Sequence, residues 1–302
     1  MVSQENEYKS AEAFLAALVD KSRKIAKDLG RPVDIVRRQI AFEAFLLRLP
    51  KSNTNLVLKG GFALYLRHEL ITRPTRDLDM AIDIKDVRSI PKNTLQKQLQ
   101  KTLENIAAIQ LGDFFTFEIG KVTADLGRDR EFIGFRFHLL ARVGSKRFDE
   151  FSVDITAGDA LLLPFDKVLV GKSLEFSGVM PVFIPAVSSA QHFAEKLHAY
   201  CRDRGNKQNS RVKDLFDMIF FIRQNLDSES VARAVLDVFK NCNDTPIPVS
   251  LELPPENWRL PFQEMAASNG LGAVTLEEAY KTLSDYYSKI ISKKLKFLSS
   301  ES

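Results

Sequence analysis

The chain has 302 residues, 45% of them hydrophobic and 27% charged, and a formal net charge of +4. Those proportions exclude disordered, collagen-like and fibrous classes, and leave one to three domains with enough apolar surface to fold without disulfide or metal staples. A surplus of four is too small to mark a nucleic-acid binder, so the placement of the charges has to decide.

In chain order, two helices come first. One covers about Ser10 to Leu29 and ends at Gly30; the other follows Pro32, carries Ile35, Ile40, Phe42, Phe45 and Leu46, and stops at Pro50. The period then changes. Leu56 to Leu58 reads as a short buried strand, Lys59-Gly60-Gly61 as its end, and Phe62 to Leu66 as the start of a helix. Leu78 to Ile84 is a second strand and Thr94 to Gln110 a polar-faced helix. Three β-like runs follow, Phe114 to Ile119, Phe132 to Ala141 and Phe148 to Thr156, which predicts a mixed sheet with helices packed on it. From Ser188 the pattern is helical: Ala190 to Arg204, Val212 to Asn225, Ser230 to Asn241 and Leu276 to Leu298, with Pro246 to Pro261 as an extended loop. The expected domains are therefore 1–187 and 188–302.

The most informative run is Arg73-Pro74-Thr75-Arg76-Asp77-Leu78-Asp79-Met80-Ala81-Ile82-Asp83-Ile84. Alternation sends Leu78, Met80, Ile82 and Ile84 to the core and Asp77 and Asp79 to the opposite face, about 7 Å apart at Cα. Two such carboxylates repel unless something positive sits between them. Mg²⁺, which takes one or two carboxylates and fills its shell with phosphate oxygens and water, resolves the conflict. An isolated D-x-D is otherwise a solvated edge strand, paired here with Arg73 and Arg76. This one is not isolated. Gly60 and Gly61 lie in a strand–turn–helix arrangement that lets backbone N–H groups approach a phosphate. A third acid, Asp154, falls on the polar side of Ser152, Asp154 and Thr156, away from Val153 and Ile155. Three acids on neighbouring strands beside a glycine turn are the parts of a two-metal nucleotidyl-transfer site, in which two carboxylates bind metals on the triphosphate and the third can help activate an attacking hydroxyl.

Lys59-Gly60-Gly61-Phe62-Ala63-Leu64 followed by Arg73-Pro74-Thr75-Arg76-Asp77-Leu78-Asp79 resembles the AbiEii family, the toxins also called MenT, within the DNA polymerase β nucleotidyltransferase superfamily. The resemblance continues at Glu195-Lys196-Leu197-His198-Ala199 and Arg211-Val212-Lys213-Asp214-Leu215-Phe216-Asp217, so it touches most of the chain from about 55 to 225. It implies an α/β (α+β) fold, a polymerase-β-like mixed sheet with flanking helices, followed by an α-helical C-terminal domain that closes the cleft. It also implies a toxin of a toxin–antitoxin or abortive-infection system, with NTP as substrate and Mg²⁺ or Mn²⁺ as cofactor. The expected acceptor is the 3′ end of RNA, above all tRNA, and the expected protein partner a cognate antitoxin. Carried over by position, Asp77 and Asp79 hold metal with Asp154 as the third ligand, and Lys196 and Asp214 match the later catalytic motifs. Lys59, Gly60, Gly61, Arg76, Arg211 and Lys213 fall to nucleotide or substrate binding. One departure stands out: Phe62 occupies the place of the usual Thr or Ser, so backbone N–H groups, Lys59 or Lys196 must supply the phosphate contact a hydroxyl would make. A non-catalytic nucleotide- or RNA-binding module, or a transferase modifying a protein, are the alternative readings.

Charge is concentrated in one segment. From Lys196 to Lys213 there are six basic residues (Lys196, Arg202, Arg204, Lys207, Arg211, Lys213) against Asp203, a net +5, so the other 284 residues sum to −1. Such a run is either a solvated face or a phosphate-binding surface, which Lys289, Lys293, Lys294 and Lys296 could extend. Asp214 and Asp217, three apart on a helix, are neighbours. Other signals fail. Gly171-Lys172-Ser173 lacks the earlier glycine of a P-loop, since that place is Asp166. His192, Glu195 and His198 have poor metal spacing for one helix, and 22 phenylalanines against six tyrosines and one tryptophan read as core. Cys201 and Cys242 show no CxxC pairing, Met1 to Lys9 lacks a signal-like apolar stretch, and no run reaches a membrane span. A cytoplasmic protein with no membrane partner is expected.

Overall fold

A computed structural model of the chain describes residues 7–68, 73–84, 87–126, 133–158, 161–205, 208–242 and 245–300, with 88 and 293–300 described by backbone alone. Of the sequence expectations, residues 1–6, Phe132, Lys207 and the side chains of Lys293, Lys294 and Lys296 lie outside the described residues. The chain divides into two compact units. One comprises Met1–Arg67, Pro74–Asp159 and Lys167–Ala186, the other His68–Arg73, Ala160–Asp166 and Val187–Ser302.

The first unit is a mixed sheet with helices. Its helices are α1 (Ala11–Leu29), α2 (Val33–Leu46), α3 (Gly60–His68) and α4 (Lys92–Ala107). Its strands are β1 (Leu56–Lys59), β2 (Asp77–Ile82), β3 (Phe115–Asp125), β4 (Ile133–Val143), β5 (Lys146–Ala157), β6 (Asp166–Val170) and β7 (Val182–Ala186), in the order β3-β4-β5-β2-β1-β7-β6. Helix α1 begins at Ser10, whose Oγ accepts from the Ala13 amide at 3.2 Å, and ends at Gly30 in the left-handed conformation.

Antiparallel pairs β3–β4–β5 form one side of the sheet, β2 joins β5 in parallel, and β1 pairs antiparallel with β2 and parallel with β7. Leu78 and Met80 of β2, with Val153 and Ile155 of β5, are fully buried on the core side. There Phe42 of α2 meets Phe62 and Phe151 edge-on, with ring centroids 4.9 Å apart in both pairs. Each such ring contributes roughly 1.5–3 kcal/mol on burial. The register of β4 and β5 slips near Ala141, where the bulge lets both Phe148 and Phe151 turn inward.

Two strands escape the sequence pattern. Both β6 and β7 have only five residues, and β7 contains Pro185, which cannot donate to a ladder; its described register to β1 is the single pair Leu58–Ala186.

The second unit is built on α5 (Ser189–Cys201), α6 (Val212–Arg223), α7 (Ser228–Cys242), α8 (Arg259–Ser268) and α9 (Leu276–Ser300). The run from Pro246 is extended as expected, but it gives way to a helical turn at Glu256–Trp258 and then to α8. Pro261 does not prevent this because it stands in the first turn of α8, where an amide has no partner within the helix. The extended stretch is held by tyrosines. Tyr200 donates to the Glu252 carbonyl, Tyr280 to Leu251 and Tyr287 to Pro248. His192 and His198 pack edge-on against Phe221 and Phe239, at 5.1 and 4.9 Å between centroids, which is core packing. Both cysteines are free thiols, and burial pushes the Cys201 thiol up to about 12, out of the reactive range. Among the described residues no helix is long and apolar enough to cross a membrane.

Candidate active site

One row of side chains crosses the centre of the sheet. Lys59 on β1 is opposite Asp79 on β2, Asp79 is opposite Asp154 on β5, and Asp154 is opposite Arg136 on β4. Register partners share a face, so the row reads cation, carboxylate, carboxylate, cation. Asp77, two residues before Asp79, lies on the same face. The sequence therefore brings Lys59, Asp77, Asp79 and Asp154 together through strand pairing alone.

Arg136 has no counterpart in the motif-based reading. Its Nε and Nη2 each donate at 2.7 Å to the two oxygens of Asp154, and Nη2 lies 3.4 Å from Asp77 Oδ2. The hydrogen bond to Asp154 is the main reason its guanidinium is held above its ordinary pKa; burial opposes this, and Asp154, Asp77 and Asp79 add to it electrostatically. A signal was present: Phe135, Phe137 and Leu139 alternate with Arg136 and His138, which places Arg136 on the polar face of β4. Asp154 is only 8% exposed, so its charge needs this partner.

The glycine turn abuts the row. Gly60 has φ +67° and opens α3, and a Cβ built on it would lie 1.9 Å from Asp79 Oδ2. Backbone and carboxylate thus occupy the space a side chain would need. Gly61 is buried in the first turn of α3. Helix α3 starts two residues earlier than the apolar pattern indicates, so its first amides belong to the glycines. Phe62 is fully buried against Phe42 and Tyr65, and its side chain is part of the core. Arg76 is exposed.

This geometry gives a prediction. Gly60→Ala is expected to lower stability by about 1–2 kcal/mol from the left-handed backbone and also to displace the Asp79 carboxylate. Gly30→Ala, with φ +60° and nothing within 4 Å of the added Cβ, carries the backbone strain alone. Thermal midpoints should fall for both variants, and transfer activity for Gly60→Ala only.

A second charged cluster lies in the helical unit. Lys196 of α5 reaches Asp214 Oδ1 at 3.0 Å and Asp217 Oδ2 at 2.7 Å, two acids three apart on α6. Asp217 also accepts both arms of Arg73, at 3.0 and 2.8 Å, and Arg211 lies 3.6 Å from Asp214. Asp217 is fully buried. Burial opposes its ionisation, yet Lys196 and Arg73 outweigh burial and hold its carboxyl below the ordinary value. Burial likewise opposes the Lys196 charge, and Asp217 and Asp214 outweigh it and hold the ammonium above its ordinary value. Asp217, which the three-residue spacing marks only as a neighbour of Asp214, is the centre of the cluster.

Among the described cations of the basic segment, Lys196 is buried and Arg202, Arg204 and Arg211 are half-buried. Besides Lys196 and Arg211, Arg204 donates to the carbonyls of Ala199 and Arg202; Lys213 is exposed. Glu195 accepts from Gln191 at 2.8 Å. At Gly171-Lys172-Ser173 the amides of Gly171 and Ser173 and the Ser173 hydroxyl all donate to the Glu43 carboxylate, at 2.9, 3.2 and 2.6 Å. That turn therefore binds an anion supplied by the chain itself.

As metal donors, Asp77 and Asp79 suit Mg²⁺: hard oxygens on one strand face, beside backbone amides that can take a phosphate. Both Asp154 oxygens are engaged by Arg136. Among the described residues no group of three or more His, Cys, Asp or Glu is arranged to hold a metal ion.

The family model for the nucleotidyl transferase AbiEii toxin of type IV toxin–antitoxin systems matches residues 44–293. Among solved structures, MenT4, a nucleotidyltransferase toxin from Mycobacterium tuberculosis, is similar with a TM-score of 0.56 and 17% identity, over 90% of this chain and 99% of that one. At that identity the likeness speaks to the fold. A putative nucleotidyltransferase from H. pylori aligns with a TM-score of 0.46 and 17% identity, over 85% of this chain and 94% of that one. JHP933 from Helicobacter pylori aligns at 0.43 and 14%, over 88% and 95%. Curated proteins give no match.

Proposed function

Because the chain belongs to the AbiEii nucleotidyltransferase toxin family of type IV toxin–antitoxin systems, we propose that it transfers a nucleoside monophosphate from an NTP to the 3′ hydroxyl of a tRNA in the cytoplasm. A tRNA so extended cannot be aminoacylated, and growth stops. The observation that carries this reading is the row of Lys59, Asp79 and Asp154, with Asp77 beside it, set against the Gly60 turn.

In the reaction the 3′ hydroxyl attacks the α-phosphorus, the bond to the bridging oxygen breaks, and pyrophosphate leaves. Asp77 and Asp79 are the residues that would hold Mg²⁺ or Mn²⁺, which when bound supplies Lewis-acid stabilisation of the phosphate charge. The amides of Gly60 and Gly61, at the positive end of α3, orient the triphosphate without any side-chain hydroxyl, which is why Phe62 can be spent on the core. Lys59 and Arg76 add cationic contacts to the nucleotide. Lys196 and Asp214, matched to the family's later motifs, are assigned to the same reaction, and Arg211 and Lys213 to substrate binding. A cognate antitoxin is the protein partner that the family implies.

Purified protein incubated with each α-labelled NTP, Mg²⁺ and total RNA tests the proposal. Label at the 3′ end of tRNA is the expected result. Label on protein would move the acceptor to a protein, and nucleotide binding without transfer would make the chain a binding module.

A further inference from the structure

Strand phase alone puts Asp154 beside Asp77 and Asp79 as an equal third carboxylate, but the side chains do not treat the three alike. Asp154 is buried, and both of its oxygens are held at 2.7 Å by one guanidinium in a two-pronged contact. Asp77 meets the same guanidinium only at 3.4 Å, and the Asp79 carboxylate borders the Gly60 backbone and acts on the guanidinium electrostatically. A carboxylate whose oxygens both receive short charge-assisted hydrogen bonds from arginine is a poor ligand for a hard cation, because the ion has to displace a partner of its own sign.

Charge balance points the same way. Three carboxylates against Arg136 and Lys59 leave one negative charge in the row. One divalent cation is easily accommodated there, whereas two bring a large positive excess into a partly buried face.

We propose that Arg136 is an internal counter-ion that keeps Asp154 out of the metal's coordination shell, so that the sheet site of this chain takes one divalent cation, on Asp77 and Asp79. The proposal rests on the metal-dependent transferase reading above. Arg136 is a positioning residue: it fixes Asp154, and through Asp154 and Asp77 it fixes the edge of the cation site. It also neutralises the acids while no cation is bound, which allows three carboxylates to share one sheet face.

The test is Mn²⁺ titration of the full-length chain without nucleotide, followed by electron paramagnetic resonance, with thermal midpoints measured in parallel. The expected wild-type result is one Mn²⁺ per chain. Asp154→Asn should weaken Mn²⁺ only through the lost charge, by less than tenfold, while Asp77→Asn or Asp79→Asn, which removes a ligand as well, weakens it by clearly more than tenfold. Arg136→Gln should release Asp154, giving a second Mn²⁺ or at least tenfold tighter binding. Loss of Mn²⁺ in Asp154→Asn equal to that in Asp77→Asn overturns the proposal whether or not Arg136→Gln folds. Two Mn²⁺ ions in the wild type, or none while RNA labelling persists, also overturns it and leaves the transferase reading standing. Failure of that reading is seen separately, as absence of label on RNA.

Discussion

Asp79→Ala is expected to abolish nucleotide incorporation and to leave the protein folded. Asp79 sits in the row between Lys59 and Asp154 and against the Gly60 turn, so it adjoins both the proposed cation site and the amides assigned to the triphosphate. Losing one preorganised electrostatic group at a phosphoryl centre typically costs about 10²–10³-fold in rate, and a cation held by two carboxylates has only one left to hold it. Stability should change little, within about 1 kcal/mol. The substitution removes one of two adjacent negative charges on β2 and creates no cavity in the core, since Leu78 and Met80 face the other way. Incorporation of labelled nucleotide and the thermal midpoint, measured on one preparation, check both halves. Wild-type incorporation would remove Asp79 from the metal site.

Asp217→Asn should have the opposite signature, a large loss of stability. The fully buried Asp217 carboxylate receives two bonds from Arg73 and one from Lys196. Neutralising it removes the counter-charge that Arg73 and Lys196 share in a poorly solvated place, and breaking a buried pair in this way costs about 3–5 kcal/mol. For a chain of this size that corresponds to a fall of roughly 10 °C in the unfolding midpoint.

The pH dependence follows from the same contacts. Asp217 has its carboxyl lowered in the folded state, so its stabilisation is complete above the unfolded value of about 3.9 and disappears as pH falls through the folded one. Lys196 is raised, so its contribution is complete below about 10.4 and is lost as pH rises through the folded value. The cluster therefore stabilises across the whole neutral range. Asp217→Asn should lose most of its stability there and show a shallower acid limb in denaturant melts taken from pH 7 down to pH 3. A midpoint unchanged at pH 7 would mean that the cluster contributes nothing to folding.

How much of this was legible follows from which interactions are local. Alternation in Asp77 to Ile82 assigns its faces without any knowledge of neighbours, and the observed strand keeps Leu78 and Met80 inside and both acids outside. Helices α1 and α9 announce themselves through caps as well as apolar spacing, and α6 through apolar spacing alone. Pairing between distant segments carries no such mark. Arg136 is one arginine among many until β4 is laid beside β5, and the contact between Arg73 and Asp217 joins positions 144 residues apart. Short strands with irregular burial, β6 and β7, and a helix entered through a proline, α8, are likewise fixed by packing. Their local preferences point elsewhere or nowhere.

The strand order has a consequence in time. Strand β2, with Asp77 and Asp79, is flanked by β1 on one side and β5 on the other, and β1 is flanked in turn by β7. Asp79 and Asp154 are adjacent in space but 75 residues apart in sequence, and Leu58 meets its partner Ala186 across 128. Pairings of this span are slow to close, since loop entropy is lost before contacts compensate for it. A growing chain that has left the ribosome only as far as β4 carries Asp77, Asp79 and Arg136 but not the strand that completes their row. The row of charged side chains is therefore completed only once β5 has followed β4 out of the ribosome.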